Sequence, residues 1–140
     1  MACWLVKSDP ESYSWADLAR ERRTVWDGVA NALALRHLAA MRPGDDCLIY
    51  ESGAVKAVIG LARVVSEPRP DPVAGDPRRR VVELEAVAPL AAPVPLAAVK
   101  ADPACAGFEL VRNSRLSVMP VPAPIERRLR ELGGPAPGRR

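Results

Sequence analysis

The sequence predicts an α+β fold: a small mixed or antiparallel sheet curled into a barrel, with helices around it. Three observations lead there. Helical periodicity is confined to the first 41 residues and a segment near the C-terminus. Between them lie continuous or alternating apolar runs, the patterns of buried and half-buried strands. Thirteen of the fifteen prolines fall from Pro68 onward, which disfavours long helices there. At 140 residues the chain suits one domain rather than two.

Cys3–Val6 is a short apolar run and reads as a buried first strand, ended by the turn Lys7-Ser8-Asp9-Pro10. Ser14-Trp15-Ala16-Asp17 has the spacing of a capping box, so a helix should run to Arg22 with Trp15, Leu18 and Ala19 on one face. Thr24-Val25-Trp26 is extended, and Asp27-Gly28 turns it. Asn31 can cap a second helix ending near Met41, before the breaker Pro43-Gly44-Asp45. Cys47–Tyr50 and Val55–Val65 read as a hairpin closed at Ser52-Gly53. Pro68–Arg80 is a surface loop, and Val81–Val87 alternates as a half-buried strand with Glu83 and Glu85 outward. Ala91–Gly107 should hold only short helical turns, and Phe108–Arg112 one more. Arg115–Val121 reads as the last strand. Ile125, Leu129 and Leu132 mark a final helix, capped by Gly133. The expected domain is 1–132, and 133–140 is expected to be a flexible basic tail.

Charge narrows the function. The net charge is +3, and the last twenty residues, with five arginines and two glutamates, account for all of it. The first 120 residues hold fifteen basic and fifteen acidic side chains. A grip on nucleic acid through a broad basic face calls for more, so such a role must rest on a local pocket or patch. The longest uncharged run, between Glu85 and Lys100, carries Pro89, Pro93 and Pro95 and is shorter than the roughly 20 apolar residues of a bilayer span. No membrane partner is expected. The first residues carry no signal-peptide pattern. Cys3, Cys47 and Cys105 form no metal-ligand spacing, which argues against a disulfide framework and a zinc site and points to a reducing cytoplasm.

Catalytic patterns are missing. His37, the single imidazole, falls inside a predicted helix, and there is no nucleophile elbow, phosphate loop or dinucleotide fingerprint. No enzyme and no cofactor are expected. Asp45-Asp46 and Glu83/Glu85 read as turn and strand-surface carboxylates. Trp4 and Trp15 read as core. Trp26 differs: it stands beside the turn Asp27-Gly28, with Asn31 close by. An exposed indole with an amide and a hydroxyl nearby is the equipment for holding a planar base, the ring stacking and the polar groups reading the edge.

A family resemblance covers nearly the whole chain. Trp4-Leu5-Val6-Lys7-Ser8-Asp9-Pro10, then Tyr13-Ser14-Trp15, then Thr24-Val25-Trp26-Asp27-Gly28-Val29 resembles the start of EVE-domain proteins. Met41-Arg42-Pro43-Gly44-Asp45, Cys47–Tyr50, Gly60–Val64 and Arg115–Val118 with Pro120-Val121 fit the family's later segments in order. EVE domains have a PUA-like fold and are similar to YTH domains, which read N6-methyladenine in RNA. The resemblance implies a PUA-like pseudo-barrel and a non-enzymatic reader that takes one modified base of DNA or RNA into a pocket. It places Lys7, Ser8, Trp26, Asp27, Gly28, Val29, Asn31, Ser52, Ser114 and Arg115 around that pocket. In this picture Trp26 stacks, Ser8 and Asn31 bond the base edge, and Lys7 and Arg115 meet the backbone. A monomer is expected. Where the family often has an aromatic, a glutamine, a basic residue and a histidine, this chain has Ala32, Leu33, Ala30 and Glu51. These changes remove ring surface and positive charge near the expected mouth. The alternative reading is an enzyme or binding protein for a small planar ligand such as a free nucleobase.

Overall fold

The computed structural model describes residues 1–134. The strands are β1 (Cys3–Ser8), β2 (Arg23–Trp26), β3 (Asp46–Glu51), β4 (Ala57–Val64), β5 (Arg69–Pro70), β6 (Arg80–Pro95) and β7 (Val118–Pro120). The helices are α1 (Trp15–Glu21), α2 (Ala32–Ala39), α3 (Leu96–Ala101), α4 (Glu109–Arg112) and α5 (Ala123–Gly133), with a 3₁₀ turn at Pro103–Cys105. The strands form a curled mixed sheet of order β2-β6-β4-β3-β1-β7, with β5 paired to β6. Only β1 and β3 run parallel; the other pairs are antiparallel. This is the α+β, PUA-like architecture expected.

The curl places the site. In a flat sheet β1 and β2, four strand spacings apart, would stand about 19 Å from each other. Here Tyr13, five residues after the end of β1, meets the Trp26 ring at the end of β2, with centroids 6.2 Å apart.

Local chemistry explains the early elements. Ser14 caps α1 as a full capping box: its hydroxyl accepts from Asp17 N, and the Asp17 carboxylate accepts from Ser14 N. Asn31 caps α2 with its side-chain oxygen. Trp4 and Trp15 are both 7% exposed and belong to the core, as expected. Trp15 lies flat against β4 at Gly60, where a Cβ would stand 2.5 Å from the indole. His37 is partly buried against the Trp4 ring, and that burial holds its pKa below the usual imidazole value. The three cysteines are buried free thiols, and burial pushes Cys3 up to about 12.

Four expectations need correction. First, β6 does not stop at Val87 but runs through Pro89 and Pro93 to Pro95. Its pairing with β2 ends at Glu85, so beyond that residue it has a strand on one side only. Proline is tolerated along such an open edge. Second, Ala91–Gly107, expected to hold only short helical turns, begins as strand through Pro95; its remainder holds the short α3 and the 3₁₀ turn, as expected. Third, the last strand begins only at Val118, because Leu116 N donates back to Asn113 O and folds residues 113–116 into a turn. Fourth, Gly133 is the last residue of α5 and packs where a Cβ would meet Leu90 at 3.0 Å; Gly134, at φ +72°, makes the exit. A short strand, β5, also forms inside the expected loop, where Arg69 pairs with Glu83. The expected flexible tail falls mostly on 135–140, outside the described residues.

Candidate functional site

A cavity of about 660 Å³ opens where β1 and β2 end. One wall is the end of β1, with Lys7 and Ser8, and the turn after it, with Asp9 and Tyr13; the other is the end of β2 and the turn that follows it. Six of the ten residues singled out by resemblance meet here: Lys7, Ser8, Trp26, Asp27, Gly28 and Val29.

Trp26 is not the exposed plate that the sequence suggests. It is 8% exposed and belongs to the core cluster while also lining the cavity. Tyr13 stands edge-on to it at 81° and supplies a second aromatic wall. The Tyr13 hydroxyl donates to Glu21 at 2.6 Å, which fixes the ring, and burial raises its pKa. Tyr13, Thr24 and Ser117 line the cavity without having been assigned to it from the sequence. Tyr13 stood inside a recognised motif; its place between the first strand and the capping box of α1 was the available signal.

The polar groups are specific. The Ser8 hydroxyl donates to the Tyr13 carbonyl, which ties the two ends of the turn together. Its oxygen still has acceptor capacity. Lys7 N donates to Ser117 O at 2.9 Å. Among the described residues, the backbone N–H groups of Asp27, Gly28 and Val29 make no hydrogen bond. Gly28 reaches φ +77°, a conformation glycine adopts without a Cβ penalty. The residues carrying these N–H groups line the cavity beside the indole.

Four expected residues lie elsewhere. Asn31 is off the cavity wall: its side-chain oxygen accepts from Leu33 N and Ala34 N, both at 3.0 Å. Ser52 and Ser114 line a neighbouring cavity of about 300 Å³, which also borders Lys7. Arg115 is exposed and lines neither. Lys7 is the link between the two cavities. Its ammonium donates to Ser114 O at 2.9 Å and lies 5.8 Å from the Tyr50 ring centre, within cation–π range. Burial lowers its pKa. Glu51 is not at the mouth: it is buried and accepts from Trp15 N at 2.7 Å, at the start of α1. A carboxylate there suits the positive end of the helix. No cluster of three or more metal-ligating side chains occurs among the described residues.

Comparison with known proteins gives these positions a context. The family model for the EVE domain matches residues 2–132. The solved structure of Rpa0253 from Rhodopseudomonas palustris is 40% identical, with a TM-score of 0.90 over 96% of this chain and 94% of that one. Human THYN1, crystallised in complex with 5-methylcytosine-containing DNA, is 26% identical, with a TM-score of 0.88 over 98% of this chain and 100% of that one. Among curated proteins, human thymocyte nuclear protein 1 is 36% identical over 80 residues, 49% of this chain. That match covers 36% of the human protein, so the chain corresponds to only part of it.

Proposed function

Because the chain belongs to the EVE-domain family, we propose that it is a non-enzymatic reader of a modified nucleobase in DNA, taking the base into the cavity between Trp26 and Tyr13. One observation carries this reading: an aromatic corner and three turn residues whose backbone N–H groups make no hydrogen bond among the described residues line one cavity. A base needs both. Stacking on an aromatic side chain is worth roughly 1–3 kcal/mol. The polar edge needs partners, because an unpaired group taken out of water costs about 1–3 kcal/mol. The backbone of 27–29 and the Ser8 oxygen fit that edge. The DNA-bound relative supports 5-methylcytosine as the first base to try.

The test is fluorescence anisotropy with short oligonucleotides that differ only in one 5-methylcytosine. Wild type should prefer the methylated strand. Trp26 is largely core, so alanine there would damage the fold; Trp26→Leu keeps an apolar side chain, leaves a smaller void than alanine and removes the π surface. The folded variant should bind about 5- to 150-fold more weakly, the equivalent of one lost stack. Unchanged affinity in folded Trp26→Leu would contradict the stacking role. Binding of a free nucleobase with no salt dependence and no oligonucleotide affinity would favour the small-ligand alternative.

A further inference from the structure

The smaller cavity holds the whole lysine complement of the protein. The sequence has seventeen arginines and three lysines, and Lys7, Lys56 and Lys100 all line this one cleft. They come from three places, the end of β1, the β3–β4 turn and α3. No aspartate or glutamate lines the cleft. Seven arginines form ion pairs among the described residues, whereas none of the lysines does.

Two further features show that the arrangement is built. Lys56 has φ +49°, a left-handed conformation that side-chain-bearing residues seldom adopt and that tends to mark functional positions. Its carbonyl accepts from Leu96 N at 2.8 Å, so the turn carrying Lys56 is fastened to the start of the helix carrying Lys100. The floor is apolar, with Tyr50 and Leu110. A cleft with one sign of charge and low-dielectric walls concentrates its field on an incoming ion. The Ser114 hydroxyl adds a donor of the kind that phosphate oxygens accept, while the Ser52 hydroxyl donates to Ser8 O at 3.3 Å.

We infer that this cleft is a phosphate site, and that it holds the phosphodiester next to the base bound in the larger cavity. The assignment of strand as the source rests on the base-reading function, since Lys7 borders both cavities. Contacts to phosphate position a strand, and contacts to the base specify it. A protein whose first 120 residues are neutral overall would thereby keep its affinity in one local cluster.

Lys56→Gln/Lys100→Gln tests this without touching Lys7. The control, Arg36→Gln/Arg127→Gln, removes the same charge from exposed positions outside both cavities. Binding of the methylated and unmethylated oligonucleotides is measured across a salt series. The lysine variant should bind both on the order of tenfold more weakly at low salt, and its log–log salt slope should fall by about 0.7 for a lost single-strand phosphate contact. The ratio between the two oligonucleotides should stay as in wild type, and the control should bind like wild type. A lysine variant indistinguishable from the control overturns the inference and leaves the base reading standing. Weakened binding with no methyl preference in any protein removes the base reading and leaves the phosphate site. A titration with inorganic phosphate at constant ionic strength, followed by amide NMR, covers the case of no oligonucleotide binding. Shifts at Ser52, Gly53 and Lys56 that vanish in the lysine variant then transfer the cleft to a free phosphorylated compound and overturn the strand assignment. No shifts overturn the site altogether.

Discussion

The side-chain oxygen of Asn31 holds the first turn of α2 through two backbone N–H groups. Replacing such a cap with alanine costs about 1 kcal/mol, whereas aspartate caps equally well and suits the helix dipole. Asn31→Asp should therefore keep both stability and base preference, and Asn31→Ala should lose about 1 kcal/mol in denaturant unfolding. Loss of base preference in stable Asn31→Asp would show that the amide reads the base after all. Asp45 is a second case in which a polar residue serves the fold. It is buried; burial alone raises its pKa, but the Trp4 indole and the backbone N–H groups of Arg42 and Ala2 donate to it and the net shift is downward. A folded pKa below the unfolded value means stabilisation that is present above about pH 4 and is lost as pH falls through the folded pKa. Asp45→Asn should cost about 2 kcal/mol at pH 7 and flatten the acid limb of stability against pH. An acid limb identical to wild type would contradict this. The sequence made Asp45 legible as a turn residue, but not its partners: Ala2 and Trp4 are more than forty positions away.

Among the elements, those whose signals are local were legible. The capping box of α1, the cap of α2, the strands β1, β3 and β4, and the outward Glu83 and Glu85 all lie where short-range pattern places them. Glu83 and Glu85 pair with Arg69 and Arg23. The second half of β6 was illegible because proline normally ends a strand, and only the tertiary arrangement shows that β2 leaves that edge open. The β4–β6 register shifts between Val58 and Gly60, so the strand pattern there is interrupted as well. Gly60 also has a role invisible in sequence. Its missing Cβ is the space that Trp15 occupies, and the rigid ring cannot yield 2.5 Å of contact cheaply. Gly60→Ala should destabilise by about 1–3 kcal/mol, lowering Tm by roughly 3–10 °C. Thermal unfolding by circular dichroism measures this, and an unchanged Tm would mean that Trp15 is not clamped against β4.

At the scale of the whole molecule, the curl of a mixed sheet sets β1, β2 and the helices after β6 around Lys7. From the sequence, the resemblance grouped ten residues in one pocket; the structure divides eight of them between two adjoining cavities and leaves Asn31 and Arg115 outside both. Pattern alone cannot draw that division, since it follows from which strand ends face each other. The central claim is that a modified base enters the larger cavity against Trp26 and Tyr13. Intermolecular NOEs between the 5-methyl protons of a methylated oligonucleotide and ring protons of the protein test it most directly. The account predicts NOEs to Trp26 and Tyr13. A bound oligonucleotide whose methyl group shows NOEs only to residues outside that cavity would contradict it.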